Sequence, residues 1–252
     1  MIRLAFAIAT SFFVHFALFT QVLAEEVDLE LVLAMDASGS ISNKEYLLQL
    51  EGTYAAFRDP AIQAAITSGP TGKIAVTVML WSDAAFEKVN SGWFLINSPQ
   101  KANAFAEKIR NFQLNQDREI GFGGGGTGIG AGVKEALRLL RTNSYQGLRN
   151  VIDVSGDGIE TEFWFTKPFL IADAKKLADA EGVTVNGLPI ITRDFPNLDK
   201  YYREKVITGP GAFIERAASF GDFGRAIRKK LLREISSNIA GLDKSGFSKP
   251  KT

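Results

Sequence analysis

The chain contains no cysteine and a single histidine, His15. Without cysteine it cannot form a disulfide or use a thiolate nucleophile, even in an oxidising compartment. The histidine lies in the first 24 residues, which have the pattern of a removable leader. The rest of the chain therefore cannot carry a Ser-His-Asp triad, a cysteine nucleophile or an ordinary zinc site of histidine and cysteine.

An excess of charge of one sign is also missing. Of the 29 lysine and arginine residues only Arg3 lies in the leader, so 28 remain against 28 acidic residues. Because a nucleic-acid-binding surface requires a basic excess, the composition argues against nucleic acid as a partner. With 252 residues and 46% hydrophobic content, the chain is long enough to bury one good core.

The first 24 residues predict a secretory signal peptide. Arg3 precedes an apolar run, and small residues up to Ala24 suit the cleavage positions. We expect cleavage after Ala24 and an exported protein, periplasmic or secreted, with no membrane span. The alternative is an uncleaved anchor, because the apolar run approaches the length of a span. We expect one domain over residues 25–237 and a disordered tail over residues 238–252.

The most informative stretch is Asp36-Ala37-Ser38-Gly39-Ser40. It follows an apolar run typical of a buried parallel strand, and Ser42 and Glu45 then form a capping box that predicts a helix. Alternate residues of an extended turn point the same way, so Asp36, Ser38 and Ser40 can converge. Their oxygen ligands suit a hard cation such as Mg²⁺, although aspartate and serine are also ordinary turn residues.

Two further loops carry isolated polar groups. A glycine-rich loop over residues 121–130 contains a single hydroxyl, Thr127, where a helix is predicted to begin. The loop formally matches a dinucleotide fingerprint, but the polar residues before it are not a strand, as that fingerprint requires. Asp157 follows another apolar strand, while Asp153 lies inside that strand and needs a partner that the sequence does not identify.

Strands and helices alternate along the chain, which predicts an α/β fold: a doubly wound, mostly parallel, Rossmann-like sheet with helices on both faces. One short antiparallel edge strand is expected between residues 86 and 96. A helix is predicted from Phe165 to Gly182, another from Asp199 to Ile207, and a last short strand at Ala212–Ile214.

The three polar loops, in this order, resemble the metal-ion-dependent adhesion site of the von Willebrand factor A (VWA) domain. The resemblance covers about residues 27–235. Segments such as Ile152–Gly158 and Gly209–Phe213 are similar to a bacterial secreted branch of that superfamily, the domain of unknown function 1194. The aspartate loop here reads Ser155-Gly156-Asp157-Gly158 where the family often has Thr-Asp-Gly.

The resemblance implies a site for Mg²⁺, with Mn²⁺ or Ca²⁺ as alternatives. Ser38 and Ser40 would bind the metal directly, Thr127 would bind it in a ligand-engaged state, and Asp36 and Asp157 would act mostly through waters. One coordination position would remain open for the carboxylate of a protein or peptide partner. Phe122, Glu160, Glu162 and Trp164 are candidates for the rim of the site.

Three functions are compatible with these residues. The first is an exported, Mg²⁺-dependent binding module. The second is a scaffold or assembly protein on the same fold that does not need the metal for binding. The third is a Mg²⁺-dependent hydrolase, which is the weakest because serines stand where a second carboxylate is needed and the three loops contain no lysine or arginine.

Overall fold

The computed structural model describes residues 24–85, 87–112, 126–161 and 168–242, with side chains up to residue 236. Eight strands are present in this part of the chain: β1 Glu25–Val27, β2 Leu29–Asp36, β3 Ile74–Trp81, β4 Val89–Asn90, β5 Phe94–Ile96, β6 Tyr145–Gly147, β7 Asn150–Gly156 and β8 Thr184–Pro189. Its α-helices are α1 Asn43–Phe57, α2 Pro60–Thr67, α3 Pro99–Arg110, α4 Ile129–Arg141, α5 Ile171–Ala180, α6 Leu198–Tyr201 and α7 Phe223–Leu242.

The main sheet has the order β4-β3-β2-β7-β8, and β5 also pairs with β3. Strands β2, β3, β7 and β8 run parallel, whereas β4 and β5 lie antiparallel to β3. Every residue of β2 and β3 is buried, as expected for central strands that are covered on both faces. The predicted doubly wound α/β sheet with an antiparallel edge is therefore confirmed.

Two hydrophobic cores lie on opposite faces of this sheet. Leu31 and Leu33 of β2 point into the core covered by α1, α2, α3 and α7, whereas Val32 and Ala34 point into the core covered by α4 and α5. The alternation follows from the period of two along a strand. Apolar residues on both faces explain why β2 has no polar side.

Helix α1 begins where the sequence predicts. The Ser42 hydroxyl accepts from the Glu45 backbone N–H, and the Glu45 carboxylate accepts from the Ser42 N–H at 3.0 Å. This capping box satisfies two of the N–H groups that a helix start leaves without partners. It fixes the end of the loop that begins at Asp36.

Some predicted boundaries were wrong. The predicted start at Phe165 lies outside the described residues, but residues 168–170 are not helical and helix α5 begins at Ile171, whose N–H donates to the Glu160 carboxylate at 2.9 Å. The helix predicted over Asp199–Ile207 is α6 followed by a π-helical turn, Tyr202–Val206. Instead of a strand at Ala212–Ile214, the chain makes an isolated parallel bridge from Ile214 to Gly187.

A buried ion cluster supplies the missing partner of Asp153. Lys230 of α7 is fully buried, and its Nζ lies 2.8 Å from Asp153 Oδ1 and in close contact with Glu234 Oε1. Asn186 of β8 donates to the same Glu234 oxygen at 2.8 Å. The cluster joins β7, β8 and α7 through charges that water does not reach.

No helix in the described ranges is both long enough and apolar enough to cross a membrane. Residues 1–23 of the predicted signal peptide, which runs to Ala24, and residues 243–252 of the predicted tail, which starts at residue 238, lie outside the described residues. Helix α7 continues to Leu242.

Candidate metal centre

Asp36 is the last residue of β2 and lies at the carboxyl ends of the parallel strands. Its side chain is fully buried, and its Oδ1 accepts from the Ser38 backbone N–H at 2.8 Å. This turn is typical of an aspartate that hydrogen-bonds two residues further along the chain. It directs the chain so that Ser38 and Ser40 follow on the same side.

Ser40 connects this loop to β7. Its hydroxyl donates to Asp157 Oδ1 at 2.7 Å, and it lies 3.2 Å from the Ser38 hydroxyl. The two carboxylates and two hydroxyls come from segments more than 100 residues apart but meet at one edge of the sheet. The structure thus brings together four of the five residues that the sequence predicts.

Thr127 lies beside the same group. Its hydroxyl oxygen is 3.4 Å from the position that a Cβ on Gly158 would occupy. Its backbone N–H donates to the Thr161 hydroxyl at 2.8 Å, and its carbonyl accepts from the Thr161 N–H at 3.0 Å. These bonds hold Thr127 next to the Asp157 loop. Residues 113–125, which include the first half of the glycine-rich loop, lie outside the described part.

The site is electrostatically unfavourable without a cation. Burial and then the negative charge of Asp157 raise the pKa of Asp36 to about 7. Burial also raises the pKa of Asp157, and the charges of Glu45 and Asp194 act in the same direction. Within the described residues, neither Asp36 nor Asp157 forms an ion pair with a lysine or arginine. Buried carboxylates of this kind need a compensating positive charge.

The residues present fit a hard divalent cation. Asp36 Oδ2 is buried and has no hydrogen-bond partner, so one carboxylate oxygen is left over. All candidate ligands are oxygens: the site has two carboxylates, and no group of three or more acidic, histidine or cysteine side chains suited to a metal occurs anywhere in the described ranges. Mg²⁺ keeps several waters in proteins, so two carboxylates and a few hydroxyls are sufficient to hold it.

One residue at the site escaped the sequence analysis. Tyr202 is fully buried, and its hydroxyl has no hydrogen-bond partner in the described part of the chain. A Cβ added to Gly156 would lie 2.8 Å from Asp36 Oδ2 and 2.9 Å from the Tyr202 hydroxyl, so both oxygens border the same small space. Gly187 makes room for the ring, since a Cβ there would lie 2.6 Å from Tyr202 Cδ1. The Tyr202 side chain fits here because positions 156 and 187 are glycines.

Of the four residues predicted for the rim of the site, only Glu160 lies in the described part of the chain. Glu160 does not face a partner surface, because its carboxylate accepts from the N–H groups of Gly130 and Ile171 at 2.9 Å. It therefore caps the starts of α4 and α5, and its prediction as a rim residue was wrong. Phe122, Glu162 and Trp164 lie outside the described residues.

Solved structures with a similar fold include VWA-like domains of surface proteins. The von Willebrand factor domain of the type V pili tip protein Mfa5 from Porphyromonas gingivalis has a TM-score of 0.54 and 12% identity, with 88% of this chain and 98% of that chain covered. The pilus adhesin SpaC from Lactobacillus rhamnosus GG has a TM-score of 0.59 and 14% identity, with 86% and 32% covered. A D319A mutant of the PilB minor pilin from Streptococcus sanguinis has a TM-score of 0.54 and 12% identity, with 88% and 64% covered.

These likenesses establish the fold, which is VWA-like as the resemblance predicts. The chain spans about a third of the SpaC chain and less than two thirds of the PilB chain. No curated protein matches the sequence. A family model matches residues 26–239, which is most of the chain, and the chain accordingly belongs to the family described as "Protein of unknown function (DUF1194)".

Proposed function

We propose that this protein is an exported, Mg²⁺-dependent interaction module that captures an acidic group of a protein or peptide partner. The observation that carries the proposal is the meeting of Asp36 and Asp157 with the Ser38 and Ser40 hydroxyls; both aspartates are buried and have no cationic partner among the described residues. A divalent cation would offset both negative charges. Mn²⁺ or Ca²⁺ could take the same place.

The ligand set favours binding of a partner over catalysis. Two carboxylates, two serine hydroxyls and Thr127 fill few of the positions around an octahedral ion, so exchangeable positions remain. A carboxylate from a partner can replace water at one of them. The three loops offer no histidine, cysteine, lysine or arginine as a general acid or base. We therefore propose that the protein is not an enzyme.

Export is part of the proposal. It is supported by the signal-peptide pattern of the first 24 residues. The similar folds in a pilus adhesin and a pilus tip protein agree with a role outside the cytoplasm. The periplasm and the cell exterior are both consistent with this pattern.

The metal site is tested by thermal unfolding with and without Mg²⁺. At about 100 times the dissociation constant the ion adds about 2.7 kcal/mol to the free energy of unfolding. For a domain of this size that corresponds to a rise in melting temperature of roughly 5–10 °C. We expect the wild type to respond, Asp36→Asn to lose the response, and Ser40→Ala to need more Mg²⁺.

Asp153→Asn is the matched control, because it removes a buried carboxylate from the neighbouring strand without touching the site. Its melting temperature without metal can change, but its response to Mg²⁺ should persist. A wild type that responds to none of Mg²⁺, Mn²⁺ and Ca²⁺ would rule out the metal centre.

The acidic ligand is tested by selecting a displayed random-peptide library on the immobilised protein in Mg²⁺ and eluting with EDTA. We expect the eluted peptides to be enriched in aspartate and glutamate, and Asp36→Asn to retain none of them. Enrichment of the same peptides when EDTA is present throughout would instead support the second candidate, a scaffold whose binding does not need the metal.

A further inference from the structure

A second concave site lies at the opposite end of the main sheet. A cavity of about 310 Å³ opens where β7 and β8 begin, far from the strand ends that carry Asp36 and Asp157. This volume is at the lower end of the range for small-molecule sites. Its polar walls come from Arg149, Asn150 and Thr184, and its apolar walls include Phe213 and Pro210.

Arg149 is unusual because it is partly buried and forms no ion pair with any residue that the structure describes. One guanidinium nitrogen donates to the Glu234 backbone carbonyl at 2.6 Å, and its Nε is buried and has no hydrogen-bond partner among the same residues. Glu234 and Asp28 favour its charged form from a distance, but burial dominates and lowers the pKa of Arg149. A partly buried guanidinium whose Nε has no partner is a position at which a protein can bind an anion.

Other donors face the same cavity. The Thr184 hydroxyl makes only a long hydrogen bond, 3.3 Å, to the Pro210 carbonyl. The Asn150 side chain makes no hydrogen bond within the described part of the chain; its Oδ1 is a buried acceptor, so its amide nitrogen is the group that can donate. The Glu234 carboxylate, also at the cavity wall, is bound to Lys230 and Asn186 through Oε1, and its Oε2 is buried without a partner among the described residues. Its negative charge disfavours an anion with two charges.

We infer that this cavity binds a small monocarboxylate, with its carboxylate on Arg149 and a short apolar group against Phe213 and Pro210. A planar guanidinium forms two parallel hydrogen bonds to one carboxylate, which matches a single arginine. Phosphate would need more donors and would bring more negative charge towards Glu234. The site is independent of the proposed metal centre.

The probes are acetate, butyrate and inorganic phosphate, each compared with sodium chloride of equal ionic strength and in the presence of EDTA. We expect a saturable rise in melting temperature with butyrate, a weaker one with acetate and the weakest with phosphate. Amide signals of residues 149–151 and 182–186 should shift with butyrate in a ¹⁵N-labelled wild type. That measurement does not depend on any variant folding.

Arg149→Gln should weaken butyrate binding at least tenfold. Arg149→Lys should weaken it less, because lysine keeps the positive charge although it cannot form the two parallel hydrogen bonds of a guanidinium. Arg58→Gln is the matched control, since Arg58 is an exposed arginine directly after α1 whose contacts, an ion pair with Glu107 and the ring of Tyr54, lie at the surface away from the cavity. Three results would overturn the inference: no saturable effect of butyrate, equal binding by Arg149→Gln, or phosphate as the tightest of the three probes.

Discussion

The buried ion cluster allows a sharp prediction about stability. Lys230, Asp153 and Glu234 are each at most 2% exposed, and Lys230 contacts both carboxylates. Lys230→Met keeps the length of the side chain but removes its charge, so two carboxylates are left facing each other away from water. Removing one partner of a buried ion pair costs about 3–5 kcal/mol, because the remaining charge is uncompensated.

For a chain of this size, that loss corresponds to a fall in melting temperature of roughly 6–20 °C. The neighbouring residue gives a matched control. Lys229 is also on α7 and also pairs with a glutamate, but its side chain is 68% exposed. Solvent screens that pair, so Lys229→Met should cost about 0–1 kcal/mol. Chemical denaturation of both variants at pH 7 measures the difference directly.

Two further measurements test whether the stability loss of Lys230→Met comes from the uncompensated buried carboxylates. The deficit of Lys230→Met should shrink between pH 8 and pH 5, because Asp153, whose pKa burial raises to about 7, becomes protonated and the repulsion between the two carboxylates is lost. Adding Asp153→Asn and Glu234→Gln to Lys230→Met should recover much of the loss, since no charge then remains buried. If Lys230→Met costs no more than Lys229→Met, the cluster does not stabilise the fold and this reasoning is refuted.

Three further predictions concern single residues. Tyr202→Phe should leave the melting temperature in EDTA unchanged or slightly raised, because the Tyr202 hydroxyl has no hydrogen-bond partner in the described part of the chain. The same variant should bind Mg²⁺ more weakly in calorimetry if the hydroxyl turns to Asp36 when the metal enters. Equal Mg²⁺ affinity of variant and wild type would show that the hydroxyl has no such role. Gly130→Ala should destabilise the fold by about 1–3 kcal/mol, since its Cβ would overlap the backbone of Phe169 and Leu170. The control Gly224→Ala, whose Cβ would be 3.6 Å from Gly52 Cα, should be neutral or stabilising. Equal effects of the two variants in chemical denaturation would contradict the close packing around Gly130. Burial, partly offset by Lys230, raises the pKa of Asp153 to about 7. The folded state therefore binds a proton more tightly than the unfolded state, and the contribution of Asp153 to stability falls as pH rises from about 4 to 7. Asp153→Asn should flatten that fall, and an unchanged pH profile of stability would contradict the raised pKa of Asp153.

The parts of the fold that the sequence predicts are those that depend on local patterns. Strands β2 and β3 are largely apolar runs, and α1 carries its own capping box, so each element can be predicted from its own residues alone. The small parallel sheet of β1 and β6 was not predicted. Each of its strands has three residues with little apolar content, and they pair across more than 100 positions. Such pairing has no local signal.

The site divides in the same way. Asp36, Ser38 and Ser40 are close in sequence, and Asp157 follows a clear strand, so their meeting could be anticipated from topology. The part played by Tyr202 could not, because it depends on Gly156 and Gly187 leaving room for its ring. Glu160 was misassigned because its two backbone partners, at the starts of α4 and α5, are visible only in three dimensions.

The contrast between two buried aspartates carries the argument for a metal. Asp153 and Asp36 lie on adjacent strands, both are essentially inaccessible to water, and burial is the main cause of the raised pKa of each. Asp153 has Lys230 at 2.8 Å as an internal cation. Asp36 adjoins a second carboxylate, and in the described part of the chain it accepts from the Ser38 backbone N–H and forms no ion pair. Since a buried carboxylate pair without compensation is costly, we propose that a bound cation supplies the positive charge at Asp36.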